Sequence, residues 1–178
     1  MIAIIGKYKS VLLFILTFLG SYILMSSLYG VYLEQSQRST YFPDYLTAQV
    51  AAQSQWLLQL LGYAANLIPH GQEPSIKLIL NERYLARIVE GCNSASVIIL
   101  FTSFVLAFFD KWKKTMLFIV LGSLIIYVIN LFRIVILSVA LYHFPAYSDF
   151  LHTVIFPSII YSAIFALWYI WVYNFKRG

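Results

Sequence analysis

The sequence predicts an all-α integral membrane protein with about four transmembrane helices, an outer amphipathic helix and a small β-hairpin. Apolar residues make up 61% of the 178 residues and charged residues only 11%, whereas an average soluble domain carries about 25% charged residues. The mean hydropathy is +0.80, and four apolar runs divide the chain. A chain of this length has room for a few spans, so residues 1–178 are predicted to form a single membrane domain.

The four apolar runs are the predicted spans. The first and fourth, residues 11–33 and 153–173, match the roughly 20 residues that cross a bilayer as a helix. The second, residues 92–109, is short and should use its whole length, and the third, residues 116–141, is overlong and should tilt or project. The first run has the basic start and apolar core of a cleavable signal peptide. Because no small-residue cleavage site follows, we expect an uncleaved anchor instead.

Lysine and arginine residues predict the orientation of the spans. The net charge is +5, but these residues flank the apolar runs and do not form a patch suited to nucleic acid. Three groups flank the runs: Lys7 and Lys9, then Lys111, Lys113 and Lys114, then Lys176 and Arg177. With four spans all three groups fall on one side, which the positive-inside rule makes cytoplasmic. We therefore expect a multi-pass protein of the cytoplasmic (inner) membrane with both termini cytoplasmic and residues 34–91 outside.

The predicted extracytoplasmic segment, residues 34–91, differs in composition from the spans. Four glutamines interrupt the apolar positions of residues 45–68. That pattern favours an amphipathic helix at the outer surface or packed against the bundle, and a fifth span is the alternative. A Pro-His-Gly sequence at residues 69–71 ends this helix. Residues 76–80 and 84–89 then predict a β-hairpin that leads into the second span.

Cys92 is the only cysteine, and it stands in the sequence Glu90-Gly91-Cys92-Asn93-Ser94 where the polar segment meets the second apolar run. It cannot form an internal disulfide. A lone cysteine is often a small buried hydrophobic residue. However, the asparagine or serine after it would cap a helix that begins there, and the positive end of a helix favours a thiolate. A reactive thiol and an inert one are the two interpretations.

Arg133 lies within the third apolar run. It follows Lys114 by 19 residues, or about 28 Å along a helix, which places it near the outer boundary. A charged side chain costs about 2.5–3.5 kcal/mol at the centre of a bilayer. One interpretation is an arginine that snorkels to the outer headgroups. Asn130 lies one turn earlier on the same helix face, and this favours an inward-facing polar cluster.

The three histidines are candidates for a proton carrier. His152 stands at the outer start of the fourth span, His143 near the outer end of the third, and His70 in a Pro-Gly turn. Spans two and four begin at the outer face and span three ends there, so Cys92, Arg133 and His152 are predicted to meet in one layer. Such residues can supply a nucleophile, an acid or base, and a positive group for an oxyanion. No spacing suggests a zinc site, and we expect neither a metal nor a cofactor.

Three ordered segments resemble the exosortase/archaeosortase family. They are Glu90-Gly91-Cys92 opening one span, Asn130-Leu131-Phe132-Arg133-Ile134 within the next, and Asp149-Phe150-Leu151-His152 opening the last. The resemblance covers roughly residues 45–173. The small size and the Glu-Gly-Cys-Asn-Ser stretch look most like the exosortase F type of Bacteroidetes. Many exosortases carry Cys-Ser-Gly at the nucleophile, whereas this chain has Cys92-Asn93-Ser94.

The resemblance implies a membrane-embedded cysteine transpeptidase or protease. Such an enzyme would cleave C-terminal sorting signals of exported proteins at the outer face of the cytoplasmic membrane and transfer the proteins to an acceptor. The signal consists of a short motif, a transmembrane helix and a basic tail. The family likeness makes Cys92 the nucleophile, His152 the acid and base, and Arg133 the group that stabilises the oxyanion or orients the thiolate. Asn130 would hold Arg133, and Glu90 would orient a partner or be solvated.

The alternative is a non-enzymatic four-span assembly partner in a surface-polymer export system. Arg133 and Asn130 would then form hydrogen bonds between helices, and Cys92 would be inert. A transporter fits less well, because the spans are few and no repeat is present. Under the enzymatic interpretation the expected partners are tailed exported proteins and membrane lipid, not nucleic acid.

Overall fold

A computed structural model of the protein describes residues 8–36 and 43–175. Its longer helices and strands follow in the order α1 (Lys9–Ser36), α2 (Tyr45–Leu60), β1 (Ala65–Pro69), β2 (Ile76–Leu80), β3 (Arg83–Ile88), α3 (Ala95–Ala107), α4 (Trp112–His143) and α5 (Phe156–Phe175). Shorter turns join them: the 3₁₀ turns Glu90–Cys92 and Pro145–Tyr147, the α turn Ser148–Phe150 and the π turn Leu151–Ile155. The predicted fold class, an all-α integral membrane protein with a small β element, is confirmed.

All four predicted apolar runs are helical, but they differ in length. By length and composition, three stretches of the described chain are suited to cross a membrane: Lys9–Ser36, Trp112–His143 and Pro145–Tyr173. Helix α3 has 13 residues, or about 20 Å, and falls short of a hydrocarbon core of about 30 Å. Helix α4 has 32 residues, or about 48 Å, so the overlong third run is one continuous helix.

The helix expected over residues 45–68 ends early. Helix α2 stops at Leu60, and Gly62 adopts a left-handed φ of 88°. The N–H of Gly62 donates to the Gln59 carbonyl at 2.9 Å. Glycine commonly ends a helix in this way, because it has no Cβ to strain the left-handed conformation. The break therefore lies at Gly62 and not at Pro69, and residues 65–69 form strand β1.

The predicted hairpin belongs to a three-stranded antiparallel sheet with the order β1-β2-β3. Asn81 and Glu82 join β2 to β3 with φ values of 47° and 65°, as expected for a two-residue type I′ turn. The register changes within β3, where Leu85 is an extra residue that forms a β-bulge. Strand β1 was not predicted because a short apolar run fits a helix end as well as a strand.

The helical bundle has its own apolar core. Helices α3, α4 and α5 contribute Phe101, Ile126 and Trp171, all fully or almost fully buried. Gly122 of α4 faces the Phe101 ring so closely that a Cβ at this position would overlap it. Small residues let helices approach in this way inside membranes.

A second core holds the sheet between α2 and α4. Every other residue of β2 is buried, so one face of the sheet is directed inward. Five residues form the buried cluster next to the candidate site: Val50, Ala51, Ile76, Ile88 and Ile134. Cys92, Tyr127 and Leu131 pack against that cluster. The sheet and α2 thus hold the Cys92 turn beside the middle of α4.

Candidate active site

Cys92 is the last residue of the 3₁₀ turn that follows β3. Its backbone N–H donates to the Val89 carbonyl at 2.8 Å, and its side chain is half-buried against the cluster between α2, the sheet and α4. Helix α3 begins three residues later, at Ala95. The thiol therefore lies just ahead of a helix N-terminus, on a turn that leaves it partly exposed.

Asn93 fixes the turn after the thiol. It is 4% exposed, and its Oδ1 accepts the N–H of Ala95 at 2.9 Å. Its Nδ2 donates to the Tyr29 hydroxyl at 2.8 Å and to Thr47 Oγ1 at 3.1 Å. Because Tyr29 belongs to α1 and Thr47 to α2, one side chain ties the thiol turn to two helices. From the sequence, Asn93 is recognisable only as a possible helix cap.

Ser94 adopts a left-handed φ of 63° and makes no side-chain bond to the helix it precedes. An L-residue pays about 1–2 kcal/mol for this conformation, whereas glycine adopts it freely. The Cys-Ser-Gly sequence of many exosortases would place its glycine at this position. In this chain the sequence is Cys92-Asn93-Ser94, so a serine occupies a left-handed position that a glycine would favour.

Asn130 joins the thiol turn to Arg133. It is 1% exposed, and its Nδ2 donates to the Cys92 carbonyl at 2.6 Å. Its Oδ1 accepts a longer bond, 3.4 Å, from Arg133 Nη1. Arg133 Nε is buried and has no hydrogen-bond partner among the described residues. The structure therefore brings Cys92, Asn130 and Arg133 into one hydrogen-bonded line and leaves a buried N–H donor beside it.

His152 is not joined to this line. It is exposed in the π turn Leu151–Ile155, and its side chain forms no hydrogen bond with another described residue. π turns are rare and occur frequently at functional sites. The other two histidines have partners: His143 Nε2 lies 2.9 Å from the Tyr63 hydroxyl, and His70 Nδ1 accepts the N–H of Glu73 at 3.2 Å. Glu90 is exposed at the start of the thiol turn.

Asp44 is a residue that the sequence analysis missed. It is 1% exposed, and its Oδ1 accepts the Thr47 N–H at 3.0 Å and the Tyr32 hydroxyl at 3.2 Å. An aspartate directly before a helix is a common N-cap, so the signal was present in the sequence. Asp44 caps α2 at the turn where Thr47 contacts Asn93, and it thereby positions the far side of the thiol turn.

A family model described as transmembrane exosortase (Exosortase_EpsH) matches residues 7–170. The matched range contains Cys92, Asn130, Arg133 and His152, and it covers all described helices except the end of α5. Comparison with curated proteins gave no match, and comparison with solved structures gave none either.

Proposed function

The chain belongs to the transmembrane exosortase family, and we propose that it is a cysteine transpeptidase that cleaves the C-terminal sorting signals of exported proteins. In this proposal the cleavage occurs at the outer face of the cytoplasmic membrane, and the released protein is transferred to an acceptor. The substrate carries a short motif, a transmembrane helix and a basic tail. Exosortase F of Bacteroidetes is the proposed subtype, on the basis of the small size and the Glu-Gly-Cys-Asn-Ser stretch.

One observation carries the assignment of residues. Asn130 binds the Cys92 carbonyl with one end of its amide and Arg133 with the other. The Nε of the same Arg133 is buried and has no hydrogen-bond partner among the described residues. An unsatisfied buried donor is costly unless a ligand completes it. A developing oxyanion on the substrate carbonyl is a ligand of the required charge.

The proposed reaction has two steps. In the first, His152 takes the proton of the Cys92 thiol while the sulfur bonds to the scissile carbonyl carbon, and Arg133 stabilises the oxyanion that forms. The C–N bond then breaks, His152 gives a proton to the departing amine, and a thioester remains on Cys92. In the second, His152 takes a proton from the acceptor nucleophile, which attacks the thioester and releases the Cys92 thiolate.

His152 is proposed as the proton carrier in preference to His143. His143 lies ten residues beyond Arg133 on one continuous helix, so it is about 15 Å farther out along α4. It is also engaged by Tyr63. The His152 side chain has no hydrogen bond to a described residue, and it lies on a π turn, a structure that occurs frequently at functional sites.

The test uses the lone thiol. Cys92→Ala and Cys92→Ser variants are co-expressed with a tailed exported protein, and the fraction processed is measured on gels. We expect both variants to lose processing. A membrane-impermeant maleimide should label the unmodified protein from the outer face. It should not label a Cys92→Ser, Lys113→Cys double variant, whose single thiol lies in the predicted cytoplasmic link. Full processing by Cys92→Ala would refute the proposal and would favour the alternative function, a non-enzymatic assembly partner.

A further inference from the structure

The two edges of the three-stranded sheet are treated differently by the rest of the chain. At the β1 edge, the Ala65 carbonyl accepts hydrogen bonds from the side chains of Gln55 and Gln59 at 2.9 and 3.0 Å. The strand ends in Pro69, which has no N–H to offer. Capping bonds and proline are common means of keeping an edge strand from pairing with another chain. Helix α2 thus caps one carbonyl of the β1 edge, and Pro69 removes one donor from it.

The β3 edge has neither a proline nor, among the described residues, a side-chain cap on its backbone, although the Arg83 and Leu85 side chains pack against α4. Among the described residues, the backbone groups of Arg83–Ile88 form hydrogen bonds only with β2. An open edge of this kind is a template on which an extended peptide can add a strand. The β-bulge at Leu85 interrupts the ladder, so the regular part of this edge is residues 86–88.

The open edge leads directly to the thiol. Strand β3 ends at Ile88, and the turn with Cys92 follows at once. At the opposite end of β3, where the strand begins, lies a cavity of about 390 Å³. It is lined by Arg83, Tyr84, Leu85, Leu141, Pro145 and Ser148. The last two residues belong to the segment that leads to His152. An extended peptide on β3 would therefore pass between this cavity and Cys92.

The distance along α4 between the Cys92 turn and the cavity is similar to the length of β3. Asn130 touches the Cys92 turn, and Leu141 lines the cavity, 11 residues farther along α4, or about 16 Å. The six residues of β3 cover about 20 Å. In the proposed orientation, β3 therefore runs from the outer side toward the membrane, and the thiol lies at its inner end.

Building on the proposed function, we propose that the open edge of β3 is the binding site for the extended segment that precedes the transmembrane helix of a tailed substrate. The segment adds a fourth strand to the sheet beside residues 86–88. A side chain upstream of the scissile bond enters the cavity beside Arg83. Because the substrate also runs from the outer side into the membrane, its strand is parallel to β3.

Disulfide crosslinking tests the site, and the other edge of the same sheet supplies the control. In a Cys92→Ser background, Tyr84→Cys and Arg87→Cys each place one thiol on β3. Asn66→Cys and Ile68→Cys are the matched controls, because the register places Asn66 in the row of Tyr84 and Ile68 in the row of Arg87. Each variant is oxidised in membranes with tailed substrates that carry one cysteine at successive positions upstream of the cleavage site.

We expect about tenfold more crosslinked product from the β3 positions than from their β1 partners, because docking raises the effective thiol concentration to about the millimolar range. The substrate position that crosslinks to Tyr84→Cys should lie N-terminal to the one that crosslinks to Arg87→Cys. Equal crosslinking at both edges, none at β3, or the reverse order would overturn the inference. The proposed function is judged separately, by whether Cys92→Ala abolishes processing.

Discussion

Substitution of Asn130 tests whether the bond to the Cys92 carbonyl or the bond to Arg133 is the important one. Asn130→Leu removes both bonds with little change in volume. Asn130→Asp keeps an acceptor for Arg133, and strengthens it by adding a charge, but it cannot donate to the Cys92 carbonyl. If Asn130 only held Arg133, aspartate would serve well. Because the structure shows a 2.6 Å bond to Cys92, we expect aspartate to fail.

The expected size of the effect follows from burial. Asn130 is 1% exposed, so water does not readily replace its amide. A buried group left unpaired costs about 1–3 kcal/mol, although hydrogen bonds between membrane helices average about 0.6 kcal/mol and reach about 1.7. We expect either variant to lose about 1–2 kcal/mol of stability. Displacement of the thiol turn by about 1 Å can cost about 100-fold in rate, so processing should fall more than stability.

Processing of a co-expressed tailed substrate gives the rate, and a thermal melt in detergent gives the stability. Ser138→Ala is the matched control, because Ser138 is 2% exposed on the same helix, and its hydroxyl donates, among the described residues, only to the Ile134 carbonyl of its own helix. We expect the control to process at the normal rate. Normal processing by Asn130→Asp would contradict the role given to the Cys92 bond, and normal processing by Asn130→Leu would remove Asn130 from the site.

Three further substitutions test other parts of the structure. Gly122→Ala should destabilise the bundle by about 1–3 kcal/mol through overlap with the Phe101 ring, and Phe101→Leu in the same chain should restore part of the melting temperature. Ser94→Gly should raise the melting temperature, because it removes the strain of a left-handed L-residue and adds about 1 kcal/mol to the free energy of unfolding. Processing should continue in this variant. His152→Gln should abolish processing whereas His143→Gln should retain it, and the reverse result would make His143 the proton carrier.

Much of the fold could be predicted because it depends on local patterns. Apolar runs predicted every bundle helix, since the length of a run and the bilayer thickness are directly related. Two short apolar runs, residues 76–80 and 84–89, predicted the hairpin. Strand β1 was missed because residues 65–69 form a short apolar run that fits a helix end as well as a strand. Their pairing with β2 depends on Gly62 ending α2, and on contacts that are distant in sequence.

The sequence predicted which residues belong to the candidate site, but it did not predict the hydrogen bond that joins Asn130 to the Cys92 turn. Spacing along one helix placed Asn130 and Arg133 on one face, and the resemblance supplied the roles of Cys92, Arg133 and His152. The bond from Asn130 to the Cys92 carbonyl joins residues 38 positions apart, and no helical or strand period relates them. Those roles remain predictions, as does the orientation of the chain in the membrane.

By itself, the sequence determined that the chain is a membrane protein with apolar helices, a small β-hairpin and a lone thiol at the junction of the two. These properties depend on composition, run length and short motifs. Only the tertiary structure decided that Asn93 ties the thiol turn to α1 and α2, and that Asn130 joins it to Arg133. It also decided that side chains of α2 cap the β1 edge, whereas no described side chain caps the backbone of β3. Each of these depends on which distant segments pack together, and packing is set by the shape of the whole core.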